Sequence, residues 1–188
     1  MFEIFTDRQE DKIECCIFTP CPKVGHRFIE PDDYKKIINR KTGETELINK
    51  LDYPSIVYLG FNFRFKTCDI DFDFDIEPDY IWNNADIYGI LQVIAGCSKD
   101  DRRVIFGSLI HDYLLDNKDI LFKKLKEKYP GITPQRFRHL TSNIFTYVII
   151  SQGMVPWRAK LMGNFVDLFQ KYILRKEWNK LDEYMEMQ

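Results

Sequence analysis

From Asp69 to Glu77 the chain reads Asp-Ile-Asp-Phe-Asp-Phe-Asp-Ile-Glu, with a carboxylate at every odd position and an apolar side chain at every even one. A strict period of two cannot serve a helix, where residues two apart fall on nearly opposite sides. It demands a strand with one face buried and the other in water. Pro78 ends the run. The same period governs Val57 to Lys66, with Val57, Leu59, Phe61, Phe63 and Phe65 on one face and Tyr58, Gly60, Asn62, Arg64 and Lys66 on the other. This stretch reads as a second half-buried strand.

Upstream, Glu3 to Phe5 and Lys12 to Phe18 read as a hairpin across the polar turn at Asp7 to Asp11. Pro31 followed by Asp32 and Asp33 predicts a short helix through about Asn39, because proline suits the first helical position and acids favour its N-terminal end. Lys41 to Glu46, with Gly43, reads as a turn. After Trp82 the period becomes helical. Asn84 caps a helix to Ala95 ended by Gly96, and Ser98 with Asp101 resembles a capping box for the next. Lys118 to Tyr129 forms an amphipathic helix stopped by Pro130 and Gly131. Thr133 caps, and Pro134 opens, a helix through Gln152, and Pro156 opens a last one reaching about Tyr184. The expected fold class is α+β, an amino-terminal antiparallel sheet followed by a carboxy-terminal helical bundle. The 188 residues are read as a single domain: 1–55 a candidate docking extension, 56–82 the strands and 84–185 the helical part.

The net charge of -2 and pI near 6.0 leave no electrostatic footprint for duplex nucleic acid. The amino terminus turns acidic within a few residues and does not read as a signal peptide. The longest apolar run, Ile144 to Ile150, is far shorter than the roughly 20 residues needed to cross a bilayer, so no membrane association is expected. Five cysteines, an odd number, point to free thiols in a reducing compartment.

The candidate site lies in Ser108 to Leu115, where His111 and Asp112 interrupt a helix apolar on nearly every side. A buried ionisable group needs a partner, a metal or a proton. On a helical wheel His111 lies with Val104, Gly107 and Leu114, and Asp112 with Ile105, Leu109 and Asp116, so the two need not share a pocket. Two readings stand. In one, His111 is a ligand or general base and Asp112 a second ligand or orienting carboxylate. In the other, both are structural polar anchors.

The acidic ladder of Asp69, Asp71, Asp73 and Asp75 fails as a calcium loop, since Phe74 and Tyr80 occupy the positions where an EF-hand needs glycine and glutamate. It reads as a solvated face or, at Asp69, Asp71 and Asp75, an interaction surface. Cys15, Cys16, Cys21 and His26 match no common zinc spacing, and the cysteines read as core residues. No nucleophile elbow and no glycine-rich phosphate loop is present. No metal and no cofactor is expected. Trp82, Trp157 and Trp178 could serve core or surface.

Three segments carry a family resemblance. Asp73, Pro78 and Trp82 keep the spacing of a strand ending before a tryptophan; His111, Asp112, Tyr113 and Leu114 form a His-Asp-Tyr-Leu helix; Asn143-Ile144-Phe145, then Gly153 and Ala159 to Phe169, come after them in order. Over roughly Phe61 to Phe169 the chain resembles a family of uncharacterised phage and prophage proteins, domain of unknown function 1353. Where that family has a serine this chain has Ile76, and where it has an Ala-Asp pair this chain has Thr141 and Ser142. The resemblance implies a non-enzymatic virion component, tail or neck associated, acting by protein–protein interaction. Its partners would be other phage structural proteins or a second copy of itself. Its location would be the host cytoplasm during assembly and then the virion. The alternative is a metal-dependent hydrolase with His111 and Asp112 as ligands and Asp73 brought beside them.

Overall fold

The acidic alternation forms the strand its period demands. In the computed structural model, which describes residues 11–26, 34–38, 45–49, 54–83, 96 and 101–186, it is β7 (Asp71–Ile76), after β1 (Cys15–Thr19), β2 (Lys23–His26), β3 (Tyr34–Ile38), β4 (Thr45–Asn49), β5 (Pro54–Leu59) and β6 (Phe61–Lys66), and before β8 (Ile81–Asn83). The helices come next: α1 (Arg102–Asp116), α2 (Lys118–Lys128), α3 (Pro134–Ser151), α4 (Pro156–Tyr172) and α5 (Arg175–Glu186). The strands pair antiparallel in the orders β1-β6-β7, β2-β5-β8 and β3-β4. The fold is α+β, amino-terminal antiparallel sheet before carboxy-terminal helices.

Register explains the core. Phe63 pairs with Phe74 and Phe65 with Phe72 across β6 and β7, so the apolar side chains of these two strands face the same way and are buried, whereas Leu59, expected on the same face, is exposed. Against them pack Leu109, Ile110 and Leu114 of α1, Leu125 of α2 and Phe137 and Leu140 of α3, in one cluster that reaches Trp178 and Leu181 of α5. A second cluster joins α1, α3 and α4 through Val104, Phe145, Ile149 and Met162. The outer edge of β7 is met at both ends by tyrosines of the helical part. The Tyr129 hydroxyl accepts from the Asp71 N–H and donates to the Asp71 carbonyl, both at 2.8 Å, and the Tyr113 hydroxyl donates to the Asp75 carbonyl at 2.7 Å. These bonds occupy the backbone groups that another strand would need at Asp71 and at the Asp75 carbonyl.

Four expectations change. The stretch 57–66 is two strands in different sheets, broken at Gly60, where Pro78 Cδ would lie 2.9 Å from any Cβ. Residues 34–38 form β3, not a helix: β-branched Ile37 and Ile38 and pairing with β4 outweigh the local signal of Pro31 and two aspartates. β4 also begins at Thr45, inside the expected turn. The last helix is two, α4 and α5, because a redirected chain brings Trp178 and Leu181 into the core. Asp101 caps α1 by accepting from the Arg103 N–H at 3.0 Å; Ser98, the helix at 84–95 and strand 3–5 lie outside the described residues. Thr133 caps α3 as expected. No helix among the described residues is long and apolar enough to cross a membrane.

Candidate functional site

His-Asp-Tyr-Leu points four ways. Leu114 enters the core. Tyr113 stacks on Phe74 with ring centroids 5.5 Å apart and rings nearly parallel at 2°. His111 turns away from the sheet toward α3 and α4, its Nε2 3.0 Å from Gln170 Nε2 and its ring edge-on to Phe145. Because the Gln170 amide donates there, Nε2 is the acceptor and Nδ1 carries the proton, facing Asp112 Oδ1 at 3.3 Å. The His111 side chain is 13% exposed and that of Asp112 33%.

Gln170 is the centre of this arrangement and is fully buried. Besides His111, its Nε2 donates to Ser142 Oγ at 3.1 Å, and its Oε1 accepts from Thr141 Oγ1 at 3.1 Å. One buried amide thereby joins α1, α3 and α4, with both its atoms used. One turn earlier in the sequence of α3 and of α4 lies a second set. Asp167, buried, sits 3.5 Å from Arg138 Nε and 3.1 Å from His139 Nδ1. Arg138 Nη2 in turn lies 3.3 Å from His139 Nε2. Neither Asp167 oxygen accepts a hydrogen bond among the described residues. The two sets form a polar seam through the apolar bundle.

Asp73 is not brought to His111 and Asp112. It lies on the exposed face of β7, opposite the face that receives α1, where Asn62 Nδ2 donates to it at 3.1 Å and to Asp75 at 3.0 Å. The acidic ladder is answered from within the chain. Arg64 makes two hydrogen bonds to Asp71 and holds its carboxyl below the usual carboxylate range. Burial pushes the Asp69 carboxyl up, but hydrogen bonds from Arg136 and Thr67 outweigh it and leave it lowered. Arg136 also holds Asp11, Nε to Oδ1 2.7 Å, and so ties α3 to two segments of the sheet region.

Cys15 and Cys16 point to opposite faces of β1, and burial pushes the Cys16 thiol well up. Cys15, Cys16 and Cys21 carry free thiols, and Cys21 is exposed rather than in the core, in the short loop between β1 and β2. Among the described residues, no three His, Cys, Asp or Glu side chains group so as to hold a metal ion. Trp82 is buried and donates to Ser108 Oγ at 3.3 Å.

Arg138, His139, Asp167 and Gln170 escaped the sequence reading. The signal was present for the last two. On α4 the buried positions are Ala159, Met162, Gly163, Asp167 and Gln170, a helical stripe on which an aspartate and a glutamine stand where apolar residues belong. Compared with known proteins, the chain matches no family model, no curated protein and no solved structure.

Proposed function

We propose that the chain is a non-enzymatic interaction protein that docks through the outer face of α4, and that it serves in a bacteriophage virion as a tail- or neck-associated component. The observation that carries docking is a second apolar stripe on α4, opposite its buried one. Trp157, Leu161, Phe165, Leu168 and Tyr172 recur at spacings of four, four, three and four residues, which places them in an arc of about 80°. Trp157 is 56% exposed, Phe165 39% and Tyr172 64%, and Val155 and Ile173, just beyond the two helix ends, are exposed as well. Exposed apolar surface of this length marks an interface.

The rim selects the occupant. The Arg158 guanidinium lies 5.2 Å from the centre of the Trp157 ring and Lys171 Nζ 5.3 Å from that of Tyr172, and Lys160 is exposed beside them. The only acid on α4, Asp167, is buried on the other side. A cationic rim around an apolar stripe fits an amphipathic helix with acidic flanks on another virion protein, and disfavours a second copy of the same face. The virion setting rests on the resemblance to the phage family. The hydrolase reading needs Asp73 beside His111 and Asp112, and finds those groups on different faces of the fold.

Particles assembled with tagged chain and purified on a density gradient test both parts. The wild-type chain should co-purify, and a Trp157→Asp/Phe165→Asp variant with unchanged melting temperature should be lost. Absence of the wild-type chain from the particles overturns the virion role; equal retention of the variant overturns the α4 face.

A further inference from the structure

The outer stripe of α4 specifies the geometry of its partner as well as its chemistry. Trp157, Leu161, Phe165, Leu168 and Tyr172 follow the spacing four, four, three, four, so that both Trp157 to Leu168 and Leu161 to Tyr172 span eleven residues. At about 100° per residue, eleven residues make three turns and about 20° over. A seven-residue repeat falls short of two turns by about the same angle, so the two kinds of stripe drift around their helices in opposite senses. A partner helix follows a heptad stripe in a left-handed crossing and an eleven-residue stripe in a right-handed one. The stripe runs the length of the helix. Its first and last rings, both exposed, lie about 22 Å apart along the axis. Cations stand toward its two ends: Arg158 lies over the Trp157 ring and Lys171 over that of Tyr172, thirteen residues or about 20 Å apart. From Leu161 to Gln170 the only charged residue is the buried Asp167.

We infer that the partner is an α-helix lying along the whole of α4 in a shallow right-handed crossing, with apolar anchors in the same eleven-residue pattern and a carboxylate toward each end. This rests on the docking reading of α4 given above and specifies its occupant. A steeply crossing helix would touch the middle of the stripe and leave Trp157 and Tyr172 in water, whereas a shallow crossing covers all five side chains. A heptad helix laid against Trp157 drifts off the stripe before Tyr172 and loses an anchor there. Carboxylates thirteen residues apart meet Arg158 and Lys171, and a carboxylate between them would be buried against apolar side chains without a cation.

Two labelled peptides of identical composition, helical to the same degree by circular dichroism, test this against the full chain by fluorescence anisotropy. Both carry five leucines on an alanine and glutamine background, with a glutamate beside the first leucine and another beside the last. In one the leucines are spaced four, four, three, four; in the other three, four, three, four. The first should bind more tightly by about tenfold or more, the effect of one further buried leucine, and its preference should vanish in Phe165→Asp. Moving both glutamates to its middle should weaken it severalfold. Equal binding, or a preference for the heptad peptide, overturns the right-handed crossing, and a preference that survives Phe165→Asp overturns the site. Indifference to the glutamate positions overturns the acidic ends. If neither peptide binds, the helical partner is overturned, while retention of the chain on particles separately decides whether α4 docks at all.

Discussion

At the scale of single residues, the pair His111 and Asp112 was legible because an ionisable dipeptide in an apolar helix is anomalous whatever surrounds it. Its partner was not, since Gln170 lies 59 residues away and reaches His111 only through the way α4 packs. Gln170, rather than His111, therefore holds the seam. Gln170→Leu keeps the volume but strips partners from His111, Thr141 and Ser142 together. His111 Nε2 is then left without this donor, while Thr141 and Ser142 keep only their bonds to the Arg138 carbonyl, at 2.7 and 3.5 Å. The expected loss is about 2–3 kcal/mol in urea unfolding. A loss below that of an exposed control such as Gln152→Leu would mean that the amide is dispensable.

At the scale of elements, period carried the reading and chain direction did not. The alternation at 69–77 gave β7 and its buried face because burial on a strand depends only on odd and even. The break at Gly60, the turn between α4 and α5 and the strand at 34–38 depend on what the chain must reach or pair with, and local preference is silent on that. Helix approach is another such property. Gly163 faces Thr146, whose Oγ1 would lie 1.9 Å from a Cβ, and Gly107 faces Ile149, whose Cγ2 would lie at 2.4 Å. These two glycines let α4 and α1 close on α3. Gly163→Ala should therefore force the helices apart at a cost of about 1–3 kcal/mol, despite its better helix propensity. Gly131, with nothing within 4 Å, should accept alanine almost without loss. Thermal unfolding of the two variants reads the contrast.

At the scale of the whole molecule, the question is what fastens the sheet region to the bundle apart from the shared apolar core. Arg136 is the principal polar fastening, with Asp11 on one side and Asp69 on the other. The Asp11 side chain is only 5% exposed, so losing its guanidinium leaves a buried carboxylate unpaired, at about 3 kcal/mol or more at neutral pH. The acid limb arises from the same contact. Asp69 is lowered by Arg136 against the opposing effect of its burial, Asp101 by Arg103, and Asp71 by Arg64. A carboxyl lowered in the folded state gives stability that is complete above its unfolded pKa, near 4, and is lost as pH falls through the folded value. These three groups leave stability flat above about pH 5 and make it fall below about pH 4. Arg136→Met should lower the profile at neutral pH and make its acid limb shallower, since Asp69 then loses the guanidinium that holds it lowered while Asp101 and Asp71 keep their partners. Urea unfolding from pH 2.5 to 7, a window spanning about the ordinary carboxylate range, separates the two effects. An acid limb as steep as that of the unchanged chain would show that Arg136 does not hold Asp69 down.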